Sequence, residues 1–299
     1  MAFVSSKLTK ATLGFFPGAG WAAGRWAVSR GSKVTAMAKA KELLAELSHH
    51  GPHEVLRGNL ALVGLPGVVY TPTAGLGLPA VAFGHGWLQP PWRYRQLLSH
   101  LASWGIVAAA PATQGGPFPS PRLLAADLIA TLDVVTGVRL GPDGISVDPD
   151  RLGLAGHSIG GGASVLAGSD HRVKAVATFA AAQTFPPATE AAKKITAPGL
   201  HLAVADDLVA PAAGNAAAIA KAWGGEAQLR LIGKSSHLAV TEGKHWSQLL
   251  LDGKPQRRTQ VLVRALFTAF FLTHLTGTDK FRPLLEADVK KATIEAFAD

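Results

Sequence analysis

The chain has 299 residues, 48% of them hydrophobic and 16% charged, which supplies a large core and argues against wholesale disorder. It contains no cysteine, so disulfides, thiolate metal ligands and a cysteine nucleophile are all excluded. The net charge of +9 fits attraction to an anionic surface. The basic residues are scattered, however, and form no nucleic-acid module, so a membrane surface is the better partner reading.

Residues 1–30 are rich in glycine and aromatic residues and read as an irregular or partly helical basic arm. Lys7 and Lys10 before "ATLGFFPGAGWAAG" imitate a secretory signal, but Arg25, Arg30 and Lys33 interrupt the approach to a cleavage site. The expectation is a cytoplasmic protein, not an exported one, with peripheral contact to anionic membrane through this arm. Residues 32–48 show helical spacing and stop before Gly51-Pro52. The segments "EVLRGNLALVG" and "GVVYTPT" predict two short strands. The apolar run "LPAVAFGHG" suits a buried parallel strand, "YRQLLSHLASWG" a helix, and "IVAAAP" a second buried strand. "SPRLLAADLIATLDVVTG" predicts a helix capped by Ser120 with Pro121 at its first position.

The alternation continues. "DRLGLAG", "RVKAVATFA", "APGLHLAVADD" and "AQLRLIG" predict strands, separated by helices at "SIGGGASVLAG" and "AAGNAAAIAKAW". A helix over about 257–276 closes the series. Its core "VLVRALFTAFFLTHL" falls short of about 18 uninterrupted apolar residues and contains Arg264, so it reads as buried on a sheet. Alternating strands and helices imply βαβ units and an α/β fold: a mostly parallel central sheet flanked by helices. The expected organisation is an N-terminal extension over 1–50, a single α/β domain over 51–282 and a tail over 283–299.

Gly156-His157-Ser158-Ile159-Gly160 is a G-x-S-x-G pattern after a predicted strand and before a predicted helix. That setting marks a nucleophile elbow, a strained turn that projects one hydroxyl over the sheet edge. A serine hydroxyl needs a base oriented by an acid, in the chain order serine, acid, histidine. The acids at a downstream strand end are Asp206 and Asp207, and both remain open on residue pattern alone. The base candidates are His237, in "LIGKSSHLAV", and the less well placed His245 and His274. The oxyanion hole needs two backbone N–H groups, expected from Ile159 and, in "FGHGW", from Trp87, with His85 supporting the loop.

Taken together, "FGHGW", "DRLGLAGHSIGGGAS", "DDLVAP" and "GKSSHL" resemble the α/β-hydrolase superfamily. Within it the chain is most similar to the dienelactone-hydrolase-like and cutinase-like polyesterase (PET-hydrolase-like) branch, over roughly residues 55–280. The resemblance implies an α/β-hydrolase fold and a Ser158, His237, Asp207 triad, Asp207 being the acid four residues before Pro211. It implies oxyanion donation by Trp87 and a Trp87 ring lining the acyl site. Three departures stand out: no nucleophilic cysteine as in dienelactone hydrolases, no disulfide as in secreted polyesterases, and no counterpart for residues 1–50.

The connection "AAQTFPPATEAAKKIT" is too short for a large cap domain, so an open, shallow site is expected. Trp87, His157 and Phe185 are the expected substrate-binding residues, with Trp92 as a further wall. The expected activity is serine carboxylic ester hydrolysis of apolar, lipid-like or polyester-like substrates, through an acyl-enzyme, with no metal or cofactor. The alternatives are acyl transfer by the same triad, or a silent binding protein on a hydrolase scaffold.

Overall fold

A computed structural model describes residues 30–170, 172–251 and 253–296 of the chain. Of the basic arm expected over 1–30, residues 1–29 lie outside the described residues, as does its expected membrane contact.

Nine strands form one sheet: β1 (Val55–Asn59), β2 (Gly67–Pro72), β3 (Leu78–Gly84), β4 (Val107–Pro111), β5 (Val147–His157), β6 (Val173–Phe179), β7 (Gly199–Val204), β8 (Ala227–Ile232) and β9 (Ala292–Glu295). Their spatial order is β1-β2-β4-β3-β5-β6-β7-β8-β9. The strands from β4 through β3 and β5 to β8 run parallel, while β1, β2 and β9 pair antiparallel at the edges. Among the described residues the helices are α1 (Arg30–Leu47), α2 (Arg95–Ser103), α3 (Pro121–Gly137), α4 (Ile159–Ala167), α5 (Ala188–Ala192), α6 (Ala216–Lys221), α7 (Arg257–Thr276) and α8 (Arg282–Glu286).

The parallel strands are apolar on both faces, so each face needs a helical layer to exclude water. One layer is α1, α2, α7 and α8, meeting the sheet through Phe83, Phe179, Phe267 and Phe271. The other is α3 to α6, built on Leu128, Val165 and Ile219. Helix α7 has the length and hydropathy of a membrane span, but most of it is buried against the sheet. Ser120 caps α3 as its sequence suggests, its side chain accepting from the Leu123 N–H at 3.2 Å.

Two boundary expectations differ from the structure. Helix α1 is no separate extension, because Ala40, Leu43 and Leu47 sit in the same core as α7. The expected tail over 283–299 instead contributes α8 and the edge strand β9, which pairs Ile232 with Ala292 and Leu229 with Glu295. The fully buried Arg230 fastens it. The guanidinium donates to the carbonyls of Leu284, Leu285, Ala287 and Ala292 and to Gln228 Oε1. A four-residue strand carries too little periodicity to be read in advance, and its partner is a buried cation rather than an apolar stripe.

Between β6 and β7 the only helix is the five-residue α5, so no cap domain stands over that edge. The longer excursion is 233–256, between β8 and α7, which holds the two 3-10 turns His237–Val240 and Trp246–Leu249.

Burial sets a pH limit on this fold. It pushes the imidazoles of His100, on α2, and His201, on β7, down to about 3. In the unfolded chain both return to about 6.5, so below that pH the unfolded state binds more protons. Stability is therefore full above about pH 6.5 and falls as pH drops, by about 1.4 kcal/mol per pH unit for each ring. Urea midpoints measured between pH 7 and pH 5, above the main carboxylate titration, should decline accordingly, and His201→Gln should flatten the slope. A flat wild-type profile would contradict the neutral burial of these rings.

Candidate active site

The turn from β5 into α4 holds Ser158 at φ 56° and ψ −124°, outside the helical and extended regions of an L-residue. Such a conformation persists only where the surroundings over-determine it. Here the Ser158 N–H donates to the Phe179 carbonyl at 3.1 Å, and the Ser158 carbonyl accepts from Gly162 and Ala182 at 3.1 and 3.0 Å. Helix α4 passes so near β3 that a Cβ at Gly160 would overlap the Gly84 carbonyl, and one at Gly156 would overlap Gly160. The glycines of the motif thus permit the close crossing that forces the turn.

The sheet brings two distant loops to this hydroxyl. His237 opens the turn after β8, and its Nε2 lies 2.8 Å from Ser158 Oγ. Asp207 follows β7, and its Oδ2 lies 2.8 Å from His237 Nδ1. The other carboxylate oxygen accepts from the Val209 and Ala210 N–H groups, each at 2.9 Å. A carboxylate only accepts, so Nδ1 carries the proton and Nε2 is free to accept from the serine hydroxyl. All three residues are buried. Asp206, the open alternative, is exposed to solvent. His245 bonds to Ser247 Oγ at 2.8 Å, and His274 lies within α7 against Phe270.

The two expected oxyanion donors follow β3 and open α4. Among the described residues, neither the Ile159 nor the Trp87 N–H donates to a protein acceptor. The loop carrying Trp87 is strapped from several sides. The Trp87 Nε1–H donates to the Pro117 carbonyl at 3.0 Å, the Gln89 N–H to the Gly86 carbonyl at 3.0 Å, and the Gly86 N–H to Tyr94 Oη at 3.0 Å. His85 lies between the Thr113 and Gly86 carbonyls, at 2.7 and 3.0 Å, which ties this loop to the one after β4. Donors held without reorganisation, and aimed where negative charge develops, are the usual large contribution to acyl transfer.

The loops at the carboxyl edge carry exposed apolar side chains. Trp92 follows β3, Phe118 follows β4, Phe185 follows β6, Leu208 follows β7 and Trp246 follows β8, each about half exposed or more. Phe185 lies three residues beyond Ala182, which is bonded to the Ser158 carbonyl, so the expected substrate residue stands on a loop tied to the nucleophile turn. Phe118, Leu208 and Trp246 went unsingled in the sequence because isolated apolar residues in turn-rich segments carry no period. Trp92 packs edge-on against His245 at 6.0 Å between ring centroids.

His157 departs from expectation. Instead of lining the substrate site it is fully buried, its ring 5.0 Å from that of His237. Successive residues of an extended chain face opposite ways. With Ser158 turned outward, its neighbour faces inward, and Tyr94, unremarked in the sequence, meets it there.

A model of the PET hydrolase-like family matches residues 44–247, a span that takes in Ser158, Asp207 and His237. No curated protein matches the chain.

The strain at Ser158 can be measured without substrate. Both Ser158→Gly and Ser158→Ala lose the hydroxyl, but only glycine accepts φ 56° freely. The glycine variant should be the more stable of the two by about 1 kcal/mol in chemical denaturation. The opposite order would show that the turn is unstrained.

Proposed function

Because the chain belongs to the PET hydrolase-like family, within the α/β-hydrolase superfamily, we propose that it hydrolyses apolar carboxylic esters through Ser158, His237 and Asp207. The observation carrying this reading is the buried hydrogen-bonded series from Asp207 through His237 to a serine held at positive φ.

Ser158 Oγ attacks the ester carbonyl carbon while His237 Nε2 takes the hydroxyl proton. Asp207 keeps Nδ1 protonated and stabilises the imidazolium that forms. The tetrahedral oxyanion accepts from the N–H groups of Ile159 and Trp87, at the positive end of α4 and on the strapped loop after β3. His237 returns its proton to the leaving alcohol, and the acyl-enzyme remains. Water, deprotonated by His237, then attacks the acyl carbon, and the carboxylic acid leaves as Ser158 recovers its proton.

The exposed Trp92, Phe118, Phe185 and Trp246 support an extended, weakly polar ester, such as a polyester segment or a lipid-like acyl chain. Among the described residues, the connection between β6 and β7 holds only the five-residue α5, too short for a cap that would limit such a substrate to a small, enclosed one.

Hydrolysis of p-nitrophenyl butyrate tests the reading. Ser158→Ala should lower kcat/KM by about 10⁴-fold or more, and Asp207→Asn by about 10⁴-fold. Asp206→Asn should leave it within about twofold of wild type, its carboxylate being exposed. Equal rates for wild type and Ser158→Ala would end the assignment.

A further inference from the structure

Behind the serine and its base runs a second set of buried polar groups that the chemistry above does not use. The Gly86 N–H donates to Tyr94 Oη at 3.0 Å. Tyr94 Oη lies 2.7 Å from His157 Nδ1, and His157 Nε2 lies 2.9 Å from the carbonyl oxygen of His237. Tyr94 and His157 are both fully buried, and His237 nearly so.

The direction of every bond in this series is forced. The His237 carbonyl can only accept, so the single proton of a neutral His157 ring sits on Nε2, and Nδ1 is left to accept the phenolic proton of Tyr94, whose oxygen accepts from the Gly86 amide. One protonation state, neutral His157 with its proton on Nε2, satisfies each member. Burial holds the groups there. It pushes the His157 imidazole well below its usual value, with His237 and Arg93 adding repulsion, and raises the Tyr94 phenol well above its own.

The two ends of the series meet the two halves of the reaction centre. Gly86 directly precedes Trp87, the oxyanion donor of the proposed mechanism. The accepting carbonyl belongs to His237 itself, and His157 is the residue before Ser158. The fit at the Gly86 end leaves no slack, since a Cβ there would come within 2.7 Å of His157 Nδ1 and 3.2 Å of Tyr94 Oη. The oxyanion loop therefore rests on the imidazole of His157, and the base is tethered to the imidazole's far edge.

We propose that Tyr94 and His157 are positioning residues that set the separation between the oxyanion donors and His237, and so place base and oxyanion hole in register around Ser158. The inference rests on the ester-hydrolase reading. A displacement of about 1 Å in such a constellation costs on the order of 10²-fold in rate. Neither side chain touches substrate, so the loss falls on kcat and leaves KM nearly unchanged.

The test is p-nitrophenyl butyrate kinetics on Tyr94→Phe, His157→Gln and His157→Leu, normalised to competent sites by the burst of leaving group from a p-nitrophenyl phosphonate. Tyr94→Phe keeps the ring against Phe83, where the centroids lie 4.7 Å apart, while cutting both of its hydrogen bonds. Per titrated site, Tyr94→Phe and His157→Leu should lose about 10- to 100-fold in kcat, with KM within about twofold. His157→Gln, whose amide N–H still reaches the His237 carbonyl, should recover most of the His157→Leu loss. A purely structural role would lower the melting temperature and the number of titrated sites but leave kcat per site unchanged, and that result in Tyr94→Phe overturns the proposal. If His157→Leu does not fold, Tyr94→Phe and His157→Gln alone decide it. Failure of the wild type to hydrolyse ester or to give a burst would instead refute the ester-hydrolase reading on which this one stands.

Discussion

The whole site depends on how closely α4 crosses the sheet. Gly156 and Gly160 leave no side-chain bulk between the helix and the backbone of β3, so the chain has to reverse within one residue, and that residue is Ser158 at φ 56°. The strain is stored where it is useful, in a hydroxyl held clear of the sheet rim. It is offset by hydrogen bonds from three directions, namely Phe179, Gly162 and Ala182. A wider crossing would relax the turn.

Around this fixed point the parallel sheet acts as a plate from which loops of different origin reach one place. The loops after β3, β5, β7 and β8 carry Trp87, Ser158, Asp207 and His237, and each is anchored by further hydrogen bonds of its own. The Asp207 carboxylate has donors on both oxygens, one side from the backbone and one from the imidazole. A buried polar group is costly where its atoms lack partners, and here both oxygens have them. The aromatic residues, by contrast, project from the same loops into solvent, so rigid chemistry and an adaptable apolar rim share one set of connections.

The alternation of apolar strands and helices was plain in the sequence, and so were the elbow and the order of serine, acid and base. These depend on local rules that act within a dozen residues. The choice between Asp206 and Asp207 could not be made from residue types, because it depends on which of two adjacent side chains turns toward the plate. His157 was misjudged for the same reason. It was expected among the substrate-binding residues, whereas alternation put the ring inside. Tyr94 gave no signal, since its partners lie 8 and 63 residues away. Helix α1 and strand β9 were taken for appendages because their roles are set by tertiary partners, α7 for one and the buried Arg230 for the other.

The placement of β9 bears on how the chain reaches its native state during synthesis. Every parallel strand is made before residue 233, yet the outer border of β8 gains its partner only when residues 292–295 have left the ribosomal exit tunnel. Until then β8 offers an open border of unpaired amides, and the Arg230 guanidinium lacks four of its carbonyl acceptors. The nascent chain thus passes through an interval in which Ser158, Asp207 and His237 have all been made while the β8 border still lacks its partner.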